Sequence, residues 1–194
     1  MIIDMHMHEM RYSGDSFLRL ENMVEIAKRR GLDGICITDH DSMGLKEFAA
    51  EYSEKTEFPI FVGIEFYSLQ GDIVAFGIED YPKERIPAQE FVDLVQAQGG
   101  MCFSAHPFRN NNRGLEENLK IVKGLDGIEV LNGSTLYEAN RKAAEYAAEL
   151  GLATVGSSDC HVPEKLGLYA TYFPREIRSV QELIRSVKRC ETLP

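Results

Sequence analysis

Short apolar runs alternate with amphipathic stretches along most of the chain. GICITDH, PIFVGIEFYSL, DIVAFGI, MCFSAH, DGIEVLNG and LATVGSSDCH read as buried strands, as do MIID at the start and ATYF near the end. Between them, SFLRLENMVEIAKRR (16–30) places Leu20, Met23, Val24 and Ala27 at helical spacing, with basic residues in its last turn and Gly31 after it. PAQEFVDLVQAQGG, YEANRKAAEYAAELG and SVQELIRSVKRC show the same period, and LKEFAAEYSEK and ENLKIVKGL read as shorter helices. Gln70-Gly71-Asp72 lies between two neighbouring runs and predicts a hairpin. Repeated βα alternation argues for a parallel sheet, either open or closed into a barrel, and its uninterrupted repetition favours the barrel. Residues 1–194 read as one domain, with no internal repeat and no long linker.

Composition narrows the function classes. A formal net charge of -10 leaves no basic surplus to meet phosphates or anionic lipid, which argues against long nucleic acid and membrane surfaces as partners. No apolar stretch approaches a membrane span and no signal peptide precedes Asp4. Cys36, Cys102, Cys160 and Cys190 show no CxxC spacing, and Cys36 and Cys102 sit inside apolar runs, so a reducing cytoplasm is the expected compartment.

The candidate chemistry lies in the histidines. The chain has five, and each ends an apolar run: His6 and His8 in IIDMHMHE, His40 in GICITDH, His106 in MCFSAHP and His161 in VGSSDCH. Glu65, Asp39 and Asp159 occupy equivalent places. In a parallel α/β sheet or barrel these C-terminal strand ends share one face, where active sites are built. Residues two apart on a strand point the same way, so His6 pairs with His8 and Asp159 with His161, while Met5, Met7 and Cys160 face away. Imidazole and carboxylate donors without a thiolate cluster suit Zn, Mn or Fe. Asp15 could join this set or cap a helix beginning near Ser16. Asp4 could orient an imidazole as an acceptor or simply end strand pairing.

Taken in order, these segments resemble the PHP family, named for polymerase and histidinol phosphatase. The resemblance rests on HxH at His6 and His8, SGD at Asp15, TDH at His40 and Glu65 after an apolar strand. It continues through AHP at His106, IEVLNG around Glu129 and Asn132, and SSDCH at Asp159 and His161. It implies a distorted (βα)7, TIM-like barrel of the PHP type with two or three divalent ions (Zn, Mn or Fe) at the C-terminal strand ends. By the family pattern, His6, His8, Glu65 and Asp159 would hold one ion, and Asp15, His40 and His161 another. Glu65 would bridge to a further ion bound by His106. Members with three ions supply another histidine after the strand matching IEVLNG. Here no histidine lies between His106 and His161, and Tyr137 falls near that position, which leaves the ion beside His106 open.

Such a centre implies a stand-alone metal-dependent phosphoesterase that hydrolyses a small phosphorylated molecule, a phosphate monoester or a nucleotide, by a metal-activated hydroxide. His161 or His40 could serve in proton transfer, and Ser157 and Ser158 read as packing or turn residues. Arg109 and Arg113, in the polar loop after His106, could grip a phosphate; Arg141 and Lys165 are further candidates. Tyr137 or Tyr12 could stack on a planar group. The competing readings are a non-catalytic metal-stabilised module and a metal-dependent hydrolase of non-phosphate bonds.

Overall fold

A computed structural model describes residues 1–194. The chain begins with β1 (Ile2–Asp4), α1 (Leu20–Arg29), β2 (Gly34–Ile37), α2 (Lys46–Thr56) and β3 (Ile60–Val62). Then come β4 (Ile64–Tyr67), β5 (Asp72–Phe76), α3 (Ala88–Ala97), β6 (Met101–Ser104) and β7 (Gly127–Asn132). It ends with α4 (Tyr137–Leu150), β8 (Ala153–Ser157), β9 (Thr171–Tyr172) and α5 (Val180–Lys188).

The strands form two sheets, of order β3-β2-β1-β9 and β4-β5-β6-β7-β8. Their hydrogen-bond ladders do not run on into one closed barrel. The parallel alternation expected from the sequence is interrupted because β5 runs antiparallel to both β4 and β6; the β4–β5 pair is the hairpin that Gln70-Gly71-Asp72 predicts. Isolated bridges join the sheets where their strands end, Met7 to Cys160 and His40 to Glu65.

Burial patterns explain this layering. Ile3, Cys36, Phe61, Val74, Phe103 and Val155, one from each of six strands, pack into a shared core between the sheets. Outside the first sheet, Leu20, Met23, Val24 and Ala27 of α1 pack with Ala49 of α2. Outside the second, Phe91, Val92 and Val95 of α3 and Ala143 and Ala147 of α4 belong to one apolar core with that sheet. Helix α5 turns Leu183, Ile184 and Val187 onto Met101 and Phe76, covering the start of β6 and the end of β5. Ser179 caps it by accepting the Glu182 N–H.

Three local expectations differ. The first helix begins at Leu20, with Arg19 preceding it and no side-chain cap, so Asp15 is not its N-cap. ENLKIVKGL forms only a short 3₁₀ turn at Glu116–Lys120. PIFVGIEFYSL is two strands because the chain breaks at Gly63, which hands it from one sheet to the other. A Cβ on Gly63 would lie 2.4 Å from the Ala75 carbonyl oxygen and 2.7 Å from the Phe76 ring. Gly63→Ala should therefore destabilise the fold by about 1–3 kcal/mol through overpacking. Thermal unfolding would show this as a fall in Tm of several degrees; an unchanged Tm would contradict the tight crossing.

Candidate metal centre

All five histidine side chains converge where the two sheets meet. His6 and His8 follow β1 and share a face, as the i, i+2 spacing predicts, while Met5, Met7 and Cys160 turn into the apolar cores. Their Nε2 atoms lie 3.1 Å apart. Glu65, on β4, is the hub: Oε1 is 2.9 Å from His106 Nε2 and 3.3 Å from His6 Nε2. Its Oε2 is 2.7 Å from His40 Nδ1 and 3.6 Å from His8 Nε2. Asp159 Oδ1 stands 3.2 Å from His8 Nε2 and 3.6 Å from His6 Nε2. Asp15 Oδ2 is 3.3 Å from Nε2 of both His40 and His161. Four triads bring ligand atoms within 4.8 Å of one another: His8–His40–His161, His6–His106–Asp159, His6–His8–Glu65 and Glu65–Asp72–His106.

The outer contacts set the protons. Ser13 Oγ donates to Asp39 at 2.8 Å, so it accepts from His8 Nδ1–H, and the His8 Nε2 lone pair faces the cluster. Glu129 does the same for His6, with Oε1 3.2 Å from Nδ1. The Glu129 carboxylate also accepts from His106 N–H at 2.6 Å, from Asn132 Nδ2 at 2.9 Å and from Ser157 Oγ. Asp4 touches no imidazole: it accepts the backbone N–H groups of Ser158, Gly167 and His6, tying the β8 end to the β1 end. Ser157 thus has a specific partner, beyond the packing role its sequence suggests.

Electrostatics follow from this crowding. Burial alone would lower His6, but Asp159, Glu65 and Glu129 raise it well above its usual range. Burial lowers His8 to about 4. Glu65 and Asp159, which burial would raise, are held well below the carboxylate range, chiefly by the His6 charge. Nε2 of His6 and of His8 face each other and the carboxylates of Glu65 and Asp159 at 3.1–3.6 Å, a donor set that suits cations once the His6 proton is displaced. His106 and Asp159 adopt left-handed backbone, φ 27° and 48°, a strain tolerated where the surroundings fix a functional residue.

The site has a closed floor and an open side. His6, His8, Glu65 and Asp159 are buried, whereas the His40 and His161 side chains are 26% and 25% exposed and that of Asp15 is 61% exposed. Arg109 ion-pairs with Asp159 through Nη2, which also meets Asn132, and gives Nε to Thr135. Arg113 gives Nε and Nη2 to Asp72 at 2.6 and 2.9 Å. Arg109 keeps only Nη1 free, whereas Arg113 keeps Nη1 and one N–H of Nη2 beside its ion pair. Lys165 Nζ reaches Ser134 Oγ at 3.0 Å; Arg141 pairs with Glu138 and Glu145 on the exposed face of α4; Tyr137 is exposed.

Sequence reasoning missed Asp72, assigning it only to the hairpin turn. It is fully buried beside Glu65 and His106. Burial and Glu65 push its carboxyl up to about 6, and Arg113 opposes them. The signal was the acid opening an apolar strand, DIVAF. A surface cavity of about 860 Å³ lies at the start of β3 and the end of β5 and contains no residue of the cluster.

Residues 137–192 match a family model described as PHP-associated. An uncharacterized protein of Methanocaldococcus jannaschii is 27% identical over 140 residues, covering 66% of this chain and 80% of that protein. A structure from Bifidobacterium adolescentis, provisionally called a metal-dependent phosphoesterase, superposes with TM-score 0.74 at 19% identity over 97% of this chain and 96% of that one. An amidohydrolase from Chromobacterium violaceum, solved with sulfate and no metal, gives 0.72 at 20% identity over 98% and 97%. A lesion-specific endonuclease from Pyrococcus furiosus gives 0.69 at 17% identity, over 97% of this chain and 56% of that one. These matches give residues 137–192 a likeness to a PHP-associated segment and the whole chain the fold of the three structures.

Proposed function

We propose that the chain is a metal-dependent phosphoesterase acting on a small phosphorylated molecule. The observation that carries this reading is the convergence of all five histidines with Glu65 and Asp159, with Nε2 of His6 and of His8 turned inward by Glu129 and Ser13. His6, His8, Glu65 and Asp159 would hold one divalent ion (Zn, Mn or Fe), and Asp15, His40 and His161 a second. Divalent ions at these positions supply positive charge for phosphoryl oxygens and an activated water. The strand breaks and the bridges at Met7–Cys160 and His40–Glu65 support a distorted barrel of the PHP type.

The protein's own residues do the rest. Glu65 and Asp159 keep their charge in the buried floor because the imidazoles beside them hold it. On the open side, His40 and His161 are partly exposed, and either ring, where it does not ligate, could instead carry a proton for the leaving oxygen. Arg109 Nη1, beside Asp159, can orient a phosphoryl oxygen. Inorganic phosphate should compete with substrate. Its failure to inhibit, with hydrolysis of amide or ester substrates intact, would favour the non-phosphate hydrolase instead.

Proton linkage gives a second test. Burial alone would lower His40, but the hydrogen bond and charge of Glu65, with the charge of Asp15, outweigh it and raise it to about 9. Because this value lies above the usual 6.5, the charged ring stabilises the metal-free fold fully below pH 6.5, and that contribution is lost as pH rises through about 9. A cation must displace the proton, so metal affinity should rise about tenfold per pH unit across that window for each imidazole deprotonated, then level off. Calorimetric titration in buffers of different ionisation enthalpy reads the released proton; pH-independent affinity would contradict the assignment of His40 as a ligand.

A further inference from the structure

In the fourth triad, Glu65–Asp72–His106, a cation that belongs to the chain grips both oxygens of one carboxylate, whereas Arg109 meets Asp159 through Nη2 alone. His106 Nε2 lies 2.9 Å from Glu65 Oε1 and 3.7 Å from Asp72 Oδ2. Both oxygens of Asp72 are taken by Arg113, through Nε at 2.6 Å and Nη2 at 2.9 Å. This is a planar, bidentate pair, the geometry in which a guanidinium neutralises a carboxylate most completely.

The pair is built into the backbone. Asp72 N–H donates to the Arg113 carbonyl at 2.7 Å, and Arg113 N–H to Asn111 Oδ1 at 3.1 Å. The loop reaches the hairpin because two glycines meet there: a Cβ on Gly71, whose φ is +152°, would lie 2.6 Å from the Gly114 carbonyl carbon. A Cβ on Gly114 would lie 2.1 Å from the Pro107 oxygen. The Arg113 guanidinium also stacks on the Tyr67 ring, 4.3 Å from its centroid, as does Arg85 at 3.6 Å.

We propose that Arg113 is a tethered internal cation standing in for a third metal ion, so that the chain binds two divalent ions and Glu65–Asp72–His106 admits another only when the guanidinium is removed. This rests on the metal-binding reading above, and the test separates the two. Purified protein is loaded with excess Mn²⁺ or Zn²⁺, desalted, and its metal counted by inductively coupled plasma and native mass spectrometry. The wild type should hold about two ions per chain, and Arg113→Met about three, with the gain lost again in Arg113→Met combined with Asp72→Asn. Metal should also raise the Tm of Arg113→Met by more than that of the wild type, because an ion replaces the lost partner of a buried carboxylate. Three ions in the wild type would overturn this proposal alone. So would an Arg113→Met protein that folds with two, or one that fails to fold with metal while the double variant folds. No bound ion in the wild type would overturn the metal-binding reading, and this proposal with it.

Discussion

Glu65→Gln should reduce metal-dependent turnover by about 10³-fold or more, the largest loss expected from any isosteric change in this chain. Glu65 lies within 3.6 Å of ring nitrogens of His6, His8, His40 and His106. The amide replaces one of its oxygens with an –NH₂ group that donates and cannot ligate, aimed at a point where two of those histidines expect a shared anion. The variant should also emerge from purification with less metal, and adding metal should not restore its rate. Asp15, in contrast, is mostly exposed and meets only two rings, so Asp15→Asn should cost less. The ratio of kcat/KM between the two variants checks this ordering; equal losses would mean that Glu65 is not the shared ligand.

Glu129→Gln should weaken metal binding by about 10–100-fold, the range seen when the group orienting a ligating imidazole is lost. Here the rate should recover at saturating metal, because His6 itself remains. One buried carboxylate accepts from His6, His106, Asn132 and Ser157, and an amide can satisfy only part of that demand. A nitrogen turned toward His6 Nδ1 would favour the tautomer that points a proton, rather than a lone pair, into the cluster. Metal titration of activity distinguishes this from Glu65→Gln: a rise to near wild-type rate marks a positioning residue. A variant that saturates with metal at wild-type affinity would remove Glu129 from the account.

The histidine cluster was legible because its residues obey a strand rule. Each histidine ends an apolar run, and the i, i+2 spacing sets which side chains share a face, so both the convergence of His6, His8, His40, His106 and His161 and the outward turn of Met5, Met7 and Cys160 could be read from pattern. Direction of strand pairing was not legible in the same way. Nothing in DIVAFGI tells a parallel from an antiparallel strand, and the tight hairpin at Gly71 decides it. Asp72 was missed for the same reason: an acid beside a turn glycine reads as turn chemistry, and its burial depends on the loop carrying Arg113, more than forty residues away in sequence. Asp15 was open to two readings because the helix start cannot be placed within a few residues; the helix begins too late for Asp15 to cap it. The outer carboxylates split likewise. Asp4 and Glu129 each sit on an apolar strand, and only the packing of β7 and β8 places Glu129 against His6 and leaves Asp4 to the backbone.

Hydrolysis of a generic aryl phosphate monoester by metal-stripped protein, titrated with Mn²⁺, Zn²⁺ and Fe²⁺ beside Glu65→Gln, tests the central claim most directly. Turnover that appears with metal, saturates, is inhibited by inorganic phosphate and is lost in Glu65→Gln is the predicted result. Tight metal uptake with no turnover of any monoester, diester or nucleotide would contradict it and point to a metal-stabilised module or a hydrolase of non-phosphate bonds.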